Sequence, residues 1–180
     1  EVVDGNLKAL EEGFQYATTN LSNYAPAQQL SLPSTPTQSL LVNGTEAIGL
    51  GALSAGVSYY SAYPMTPTSA LMTFMADAQA EYPIVLKHAE DEIAAINNAL
   101  GASFAGARAM TATAGGGFAL MVEAVSLAAV TELPLVCMVG GRPGPATGLP
   151  TWTAQTDLLY VLNAGHGEFP RIVFTTGTIE

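Results

Sequence analysis

Four short segments of the chain hold the residue types from which a reaction could be built. Tyr63-Pro64-Met65-Thr66-Pro67-Thr68-Ser69 sets hydroxyl groups between and beside two prolines. Each proline fixes its own φ and restricts the residue before it, so such a loop presents its hydroxyls rigidly. Glu90-Asp91-Glu92 is a run of carboxyl groups opening a helical pattern. As solvated charges they match the positive end of a helix dipole; one of them, if buried, becomes a group for proton transfer. Gly115-Gly116-Gly117 follows a β-rich run and opens another helical pattern. It is either a tight strand-to-helix turn or a set of backbone N–H groups facing a polar or anionic ligand. Arg142, one of 5 cations in the chain, stands in Gly140-Gly141-Arg142-Pro143-Gly144-Pro145. A guanidinium there either clamps a carboxylate through two parallel hydrogen bonds or makes a surface ion pair. His88 and His166 read as structural loop residues, and Cys137, inside the apolar run 133–139, as core.

These segments need elements to position them. The hydrophobic pattern predicts helices over 45–55, 68–80, 90–104 and 118–130, alternating with strands over 57–62, 84–86, 109–113, 134–139 and 171–174. Such alternation means βαβ units on a parallel sheet, where ligands sit beyond the carboxyl ends of the strands. All four chemical segments fall in those positions. Gly49-Leu50-Gly51 with Gly56 imitates a dinucleotide fingerprint, but Ser54 occupies the third glycine position and the run lies inside a helix. Close helix packing is its simpler role. Ahead of this region, Leu7, Leu10, Phe14 and Ala17 mark an amphipathic helix over 4–17. The Ser, Thr, Asn, Gln and Pro of residues 18–38, with Pro26, Pro33 and Pro36, are linker chemistry, which predicts a boundary near residue 40.

Composition bounds the function. At 180 residues, 49% of them hydrophobic and 11% charged, with mean hydropathy +0.31, the chain is apolar for an isolated domain, and part of its surface is expected to meet a partner. Five Lys and Arg against 15 Asp and Glu give net charge −10, a field that repels phosphate backbones and anionic lipid surfaces, so neither nucleic acid nor membrane is expected as a partner. One cysteine supports no disulfide framework and no Cys-rich cluster site, which suits a reducing, cytoplasmic setting. The longest apolar stretch, 118–139, is broken by Glu123, Glu132 and Pro134 and falls short of a membrane span. Opening on Glu1 and stopping just after the strand expected at 171–174, the chain reads as a piece of a longer polypeptide.

The run Glu92-Ile93-Ala94-Ala95-Ile96-Asn97-Asn98-Ala99-Leu100-Gly101 places a glutamate at the start of a nearly neutral, small-residue helix. It resembles the pyrimidine-binding domains of thiamine diphosphate enzymes, in which that glutamate hydrogen-bonds the aminopyrimidine ring. Taken with the Tyr63–Ser69 segment, with the run from Met110 through Gly115-Gly116-Gly117 to Met121, and with Arg142-Pro143-Gly144-Pro145-Ala146-Thr147-Gly148-Leu149-Pro150-Thr151, in that order, it resembles the alpha subunit of 2-oxoacid:ferredoxin oxidoreductases. The resemblance covers about residues 40–175, extends to Gln155-Thr156-Asp157-Leu158 and to the run from His166 to Arg171, and is greatest to the 2-oxoglutarate branch. The first segment, from Asn6 to Ala17, is similar to the end of the family's gamma domain, which some members fuse ahead of alpha.

The resemblance implies an α/β fold with an open parallel sheet of the thiamine diphosphate pyrimidine-domain type, preceded by an N-terminal helix and a linker. Residues 1–20 would end a gamma-like domain, 21–40 would be the linker, and 41–180 the pyrimidine-binding domain, truncated at its C-terminus. The implied reaction is oxidative decarboxylation of a 2-oxoacid to acyl-CoA and CO2, with electrons passing through Fe–S clusters to ferredoxin. Glu92 would be the catalytic acid, and burial of a carboxyl in an apolar pocket favours the protonated form such an acid needs. Glu90 and Asp91 would be its solvated neighbours. Tyr63, Pro64, Gly115, Gly116 and Gly117 would join Glu92 in contacting the cofactor, and Thr66 and Arg142 would hold the 2-oxoacid.

No metal ligand is expected in the chain. It carries neither a Gly-Asp-Gly with a distal Asn nor a Cys-x-x-Cys set, so a beta subunit would bring the Mg2+ and diphosphate contacts, and partner subunits the Fe–S clusters. Two departures stand out: Gly115-Gly116-Gly117 where the family more often has Ser-Gly-Pro-Gly, and Trp152 where a basic residue is expected. A pyruvate or branched-chain member, or a non-catalytic assembly module of such a complex, are the alternatives.

Overall fold

A computed structural model describes residues 2–24 and 40–179, so most of the linker expected at 21–40 lies outside the described residues. The chain divides into two compact units, Glu1–Leu40 and Leu41–Glu180. In the first, helix α1 spans Val2–Asn20 and a single 3-10 turn follows at Ser22–Tyr24. The helix outruns the expected 4–17, and polar side chains near its end bond back onto it: Thr18 Oγ1 donates to the Phe14 carbonyl, and Asn20 Nδ2 to that of Tyr16 at 3.0 Å. None of its residues is buried, and Leu7, Leu10 and Phe14 are exposed.

The second unit runs α2 (Gly44–Ser54), β1 (Tyr59–Ala62), α3 (Ser69–Ala78), β2 (Val85–His88), α4 (Glu92–Phe104), β3 (Ala109–Ala114), α5 (Gly115–Val130), β4 (Val136–Gly140) and α6 (Leu158–Asn163). Local chemistry sets the helix starts. Asn43 and Glu46 form a reciprocal capping box at α2, and the Asp91 side chain accepts from the Ala94 amide at 2.7 Å at α4. The four strands are all parallel in the order β2-β1-β3-β4, with Tyr59 opposite both Val85 and Ala109, and Met110 opposite Val136.

Alternation along the strands feeds two cores. Tyr60, Ala62, Met110 and Ala112 meet Leu71 and Met75 of α3, with Ile48 and Ala52 of α2 packed beside them. On the opposite face Ala95, Ile96 and Leu100 of α4 meet Met121 and Ala124 of α5, with Leu135 and Cys137 from the β4 side. All six residues of β3 are buried, as expected of a strand covered on both faces. A Cβ on Gly49 would strike the Phe74 ring, so this glycine does serve close packing of α2 on α3; at Gly51 a Cβ would meet open space. At the amino end of the sheet, Arg108 Nη1 donates to the Ala55 carbonyl.

Two expectations are corrected. Residues 171–174 form no strand: the β-branched pattern is present, but a strand needs a neighbour to pair with, and none of the described strands pairs with this segment. Arg171 instead donates through Nη1 to the Val161 carbonyl at 2.9 Å and lies over the Phe169 ring. The second correction is α6, a short helix the hydrophobic pattern did not announce.

Candidate active site

The carboxyl ends of the four strands point at the loops singled out above. Glu92, the first residue of α4, is 3% exposed, and its Oε1 is buried without a hydrogen-bond partner. Asp91, the residue before it, stays exposed as the helix cap. Room for the glutamate is made by α5: a Cβ on Gly117 would sit 2.6 Å from Glu92 Cγ, 2.8 Å from Glu92 Oε1, and in collision with Thr113 Oγ1. Thr113 is the penultimate residue of the buried β3, so the strand, the glycine turn and the glutamate converge on one point.

Arg142 is 7% exposed. Its Nη1 donates to the Thr66 carbonyl at 2.9 Å, while its Nε is buried without a partner. Thr66 and Arg142, 76 residues apart, are thus joined, through the threonine backbone and not its hydroxyl. The Arg142 carbonyl accepts from Thr156 Oγ1 at 3.0 Å, and that hydroxyl is also 3.0 Å from Asp157 Oδ2. The Asp157 carboxylate packs where a Gly115 side chain would be, with Oδ1 at 2.6 Å from the notional Cβ, and the Ala146 carbonyl oxygen lies 3.2 Å from that of Gly116. Arg142, the first two glycines, Asp157 and Tyr160 line a cleft of about 210 Å³ at the start of α5.

Tyr63 and Pro64 are exposed beyond β1. His88 is exposed, and His166 is held through its backbone N–H, which donates to Ser126 Oγ at 2.7 Å. Trp152 is exposed in the loop after Arg142. Sequence reading missed Thr113, Thr156 and Asp157. Gln155-Thr156-Asp157-Leu158 stood out as a segment, but what Thr156 and Asp157 touch depends on chain folding back across the sheet ends. Burial pushes the Cys137 thiol up to about 12, and burial with the neighbouring Cys137 raises the Tyr60 hydroxyl; neither residue lines the cleft. Among the described residues no group of three or more His, Cys, Asp or Glu could hold a metal ion, and no helix is long and apolar enough to cross a membrane.

A parallel α/β sheet carrying a buried glutamate at a strand-end helix start is the architecture of a thiamine diphosphate-binding domain, and the relatives agree. Residues 50–180 match the family model described as "Pyruvate flavodoxin/ferredoxin oxidoreductase, thiamine diP-bdg", and the chain belongs to that family. It is 44% identical over 161 residues to the 2-oxoacid:ferredoxin oxidoreductase subunit alpha of Saccharolobus solfataricus, covering 82% of this chain and 26% of that protein. It is 41% identical over 140 residues to the 2-oxoglutarate synthase subunit KorA of Archaeoglobus fulgidus, covering 78% and 40% respectively. Among solved structures it is similar to the 2-oxoglutarate:ferredoxin oxidoreductase from Magnetococcus marinus with 2-oxoglutarate, coenzyme A and succinyl-CoA bound. That match has a TM-score of 0.86 at 38% identity over 97% of this chain and 30% of the other. The chain therefore spans only about a quarter to two fifths of these relatives' length.

Proposed function

We propose that this chain is the pyrimidine-binding part of the alpha subunit of a 2-oxoacid:ferredoxin oxidoreductase, acting on 2-oxoglutarate. The observation that carries the reading is Glu92, a buried carboxyl with one oxygen unpartnered. Leaving such an oxygen unsatisfied costs free energy, and a ring nitrogen delivered by a ligand relieves that cost. The residues present therefore suit the aminopyrimidine of thiamine diphosphate. Mg2+ and the diphosphate contacts are assigned to a beta subunit.

When bound, the cofactor supplies the nucleophilic carbon and the electron sink that decarboxylation of a 2-oxoacid requires. Glu92 Oε1 holds or donates the proton at the pyrimidine nitrogen. Tyr63 and Pro64 contact the cofactor from beyond β1. Arg142, oriented by its bond to the Thr66 carbonyl, presents its remaining N–H groups to the substrate carboxylate, and the Thr66 hydroxyl is assigned a contact on the 2-oxoacid. The cleft of about 210 Å³ is smaller than the roughly 300–1,000 Å³ of small-molecule pockets, as suits one wall of a site that a partner completes. Fe–S clusters in partner subunits would supply the route for electrons to ferredoxin, CoA would be the acyl acceptor, and the assembly is assigned to the cytoplasm. Residues 1–20 are assigned to the end of a gamma-like domain and 21–40 to a linker.

One observation favours a second reading of the substrate. The loop after Arg142 presents Trp152, 67% exposed, and no cation between residues 143 and 157. That suits a 2-oxoacid with an uncharged side chain, pyruvate or a branched-chain acid, better than a second carboxylate.

The test is 2-oxoacid- and CoA-dependent viologen reduction by the complete enzyme, comparing wild type with Glu92→Gln on 2-oxoglutarate, pyruvate and a branched-chain 2-oxoacid. Loss of a positioned acid or base lowers turnover by about 10²–10⁴-fold, which is the expected result with assembly intact. The preferred acid names the branch. Unchanged turnover would make Glu92 a helix-end charge and the chain an assembly module.

A further inference from the structure

We infer that Gly117 is a positioning residue whose missing side chain fixes the Glu92 carboxyl; as a statement about catalysis, this rests on the function proposed above. Three glycines in succession open α5, although glycine weakens a helix and none of the three has a positive φ that would require it. Space, not backbone conformation, accounts for them. The space at each is taken by a different group: the Asp157 carboxylate at Gly115, the Ala146 carbonyl at Gly116, and the Glu92 side chain with Thr113 Oγ1 at Gly117.

The third is the one that touches the proton-handling group. Interiors are packed too closely to absorb an added methyl without displacement. Thr113 is fully buried, in a strand buried along its whole length. Glu92, at the end of a side chain with several rotatable bonds, is what yields. A methyl at 117 therefore moves Oε1 from the place where the chain holds it without a partner.

The experiment uses the complete enzyme, with thiamine diphosphate affinity measured by titrating the cofactor-free complex and turnover by viologen reduction. Misplacing a reacting group by about 1 Å costs up to about 100-fold, so Gly117→Ala is expected to weaken cofactor affinity and lower kcat by about 10- to 100-fold, leaving KM for the 2-oxoacid within about twofold. In the Glu92→Gln background the same substitution should cost less than about twofold more, because the interaction it disturbs is already gone. Equal losses in the two backgrounds, or no loss in the wild type, overturn the inference.

If Gly117→Ala does not assemble, Gly117→Ala with Thr113→Ala vacates the hydroxyl's place, and the same comparison against Thr113→Ala applies. If Glu92→Gln leaves affinity and turnover intact, it is the functional reading that has failed. The positioning contact is then judged by the melting temperature of the complex. Gly117→Ala should lower it, and adding Glu92→Ala should raise it back in part; no recovery overturns the contact as well.

Discussion

Arg142 is a buried cation that satisfies one N–H on a neutral carbonyl and leaves Nε without a partner. A buried charge in that condition is costly until an anion arrives, which gives a carboxylate ligand more to gain there than at a solvated arginine. Replacement by lysine keeps the charge but cannot hold the Thr66 carbonyl and a carboxylate at once in the planar geometry of a guanidinium. Arg142→Lys in the complete enzyme is expected to raise KM for the 2-oxoacid by about 10- to 100-fold, about 1.4–2.8 kcal/mol of binding. An unchanged KM would reduce Arg142 to a link between two loops. At this scale the sequence disclosed the charged groups themselves: a rare cation in a Gly/Pro loop and a glutamate opening a small-residue helix. It could not disclose that Thr66 is met through its carbonyl, or that Gly117 faces Glu92, because these contacts exist only once all four strands lie side by side.

Helices and strands were legible wherever a local rule decides them. The repeated exchange of β-branched runs for alanine-rich ones places α2 to α5 and β1 to β4 within a few residues. Residues 171–174 carry the same local signal and make no strand, because pairing is a property of two segments. Gly49 and Gly51 show how packing between elements separates residues that look alike in sequence. Both lie in α2, yet one faces the Phe74 ring and the other open space. Gly49→Ala is expected to destabilise the protein by about 1–3 kcal/mol through overpacking. Gly51→Ala should stabilise it by about 0.4–1 kcal/mol through the lost freedom of the unfolded chain. Chemical denaturation of the two variants side by side checks the pair, and equal shifts would contradict the α2 to α3 packing.

For the molecule as a whole, the excess of apolar residues was plain from composition, but which faces carry it was not. Val85 and Val136 on the edge strands, Leu120 and Val130 on α5, and Phe104 at the end of α4 are among the exposed ones. Their distribution depends on the order β2-β1-β3-β4, which hydrophobic periodicity does not encode. The half-buried thiol gives the second unit an alkaline limit with a definite sign. Cys137 holds its proton to about 12 when folded against an ordinary 9.0, so above pH 9 the unfolded chain has lost a proton that the folded one keeps. Its contribution to stability is complete below pH 9 and is lost as pH rises towards 12, with a slope of at most about 1.4 kcal/mol per pH unit from this one group. Tyr60 acts in the same direction. Denaturation measured from pH 8 to 11 should show stability falling, and Cys137→Ala should flatten that fall; an unaltered slope would assign it elsewhere.

Each of the three arginines commits a guanidinium N–H to a backbone carbonyl: Arg108 to Ala55, Arg142 to Thr66 and Arg171 to Val161. They work as rivets between stretches of chain that meet only after folding. With three of the five cations bonded into the frame, the 15 acidic residues of a chain of net charge −10 far outnumber the charges left to pair with them, and mobile ions from solution supply the rest of the balance. The counterion atmosphere thus becomes part of what holds the molecule together, and added salt supports the fold by quieting repulsion where, in a protein laced with ion pairs, it would loosen it.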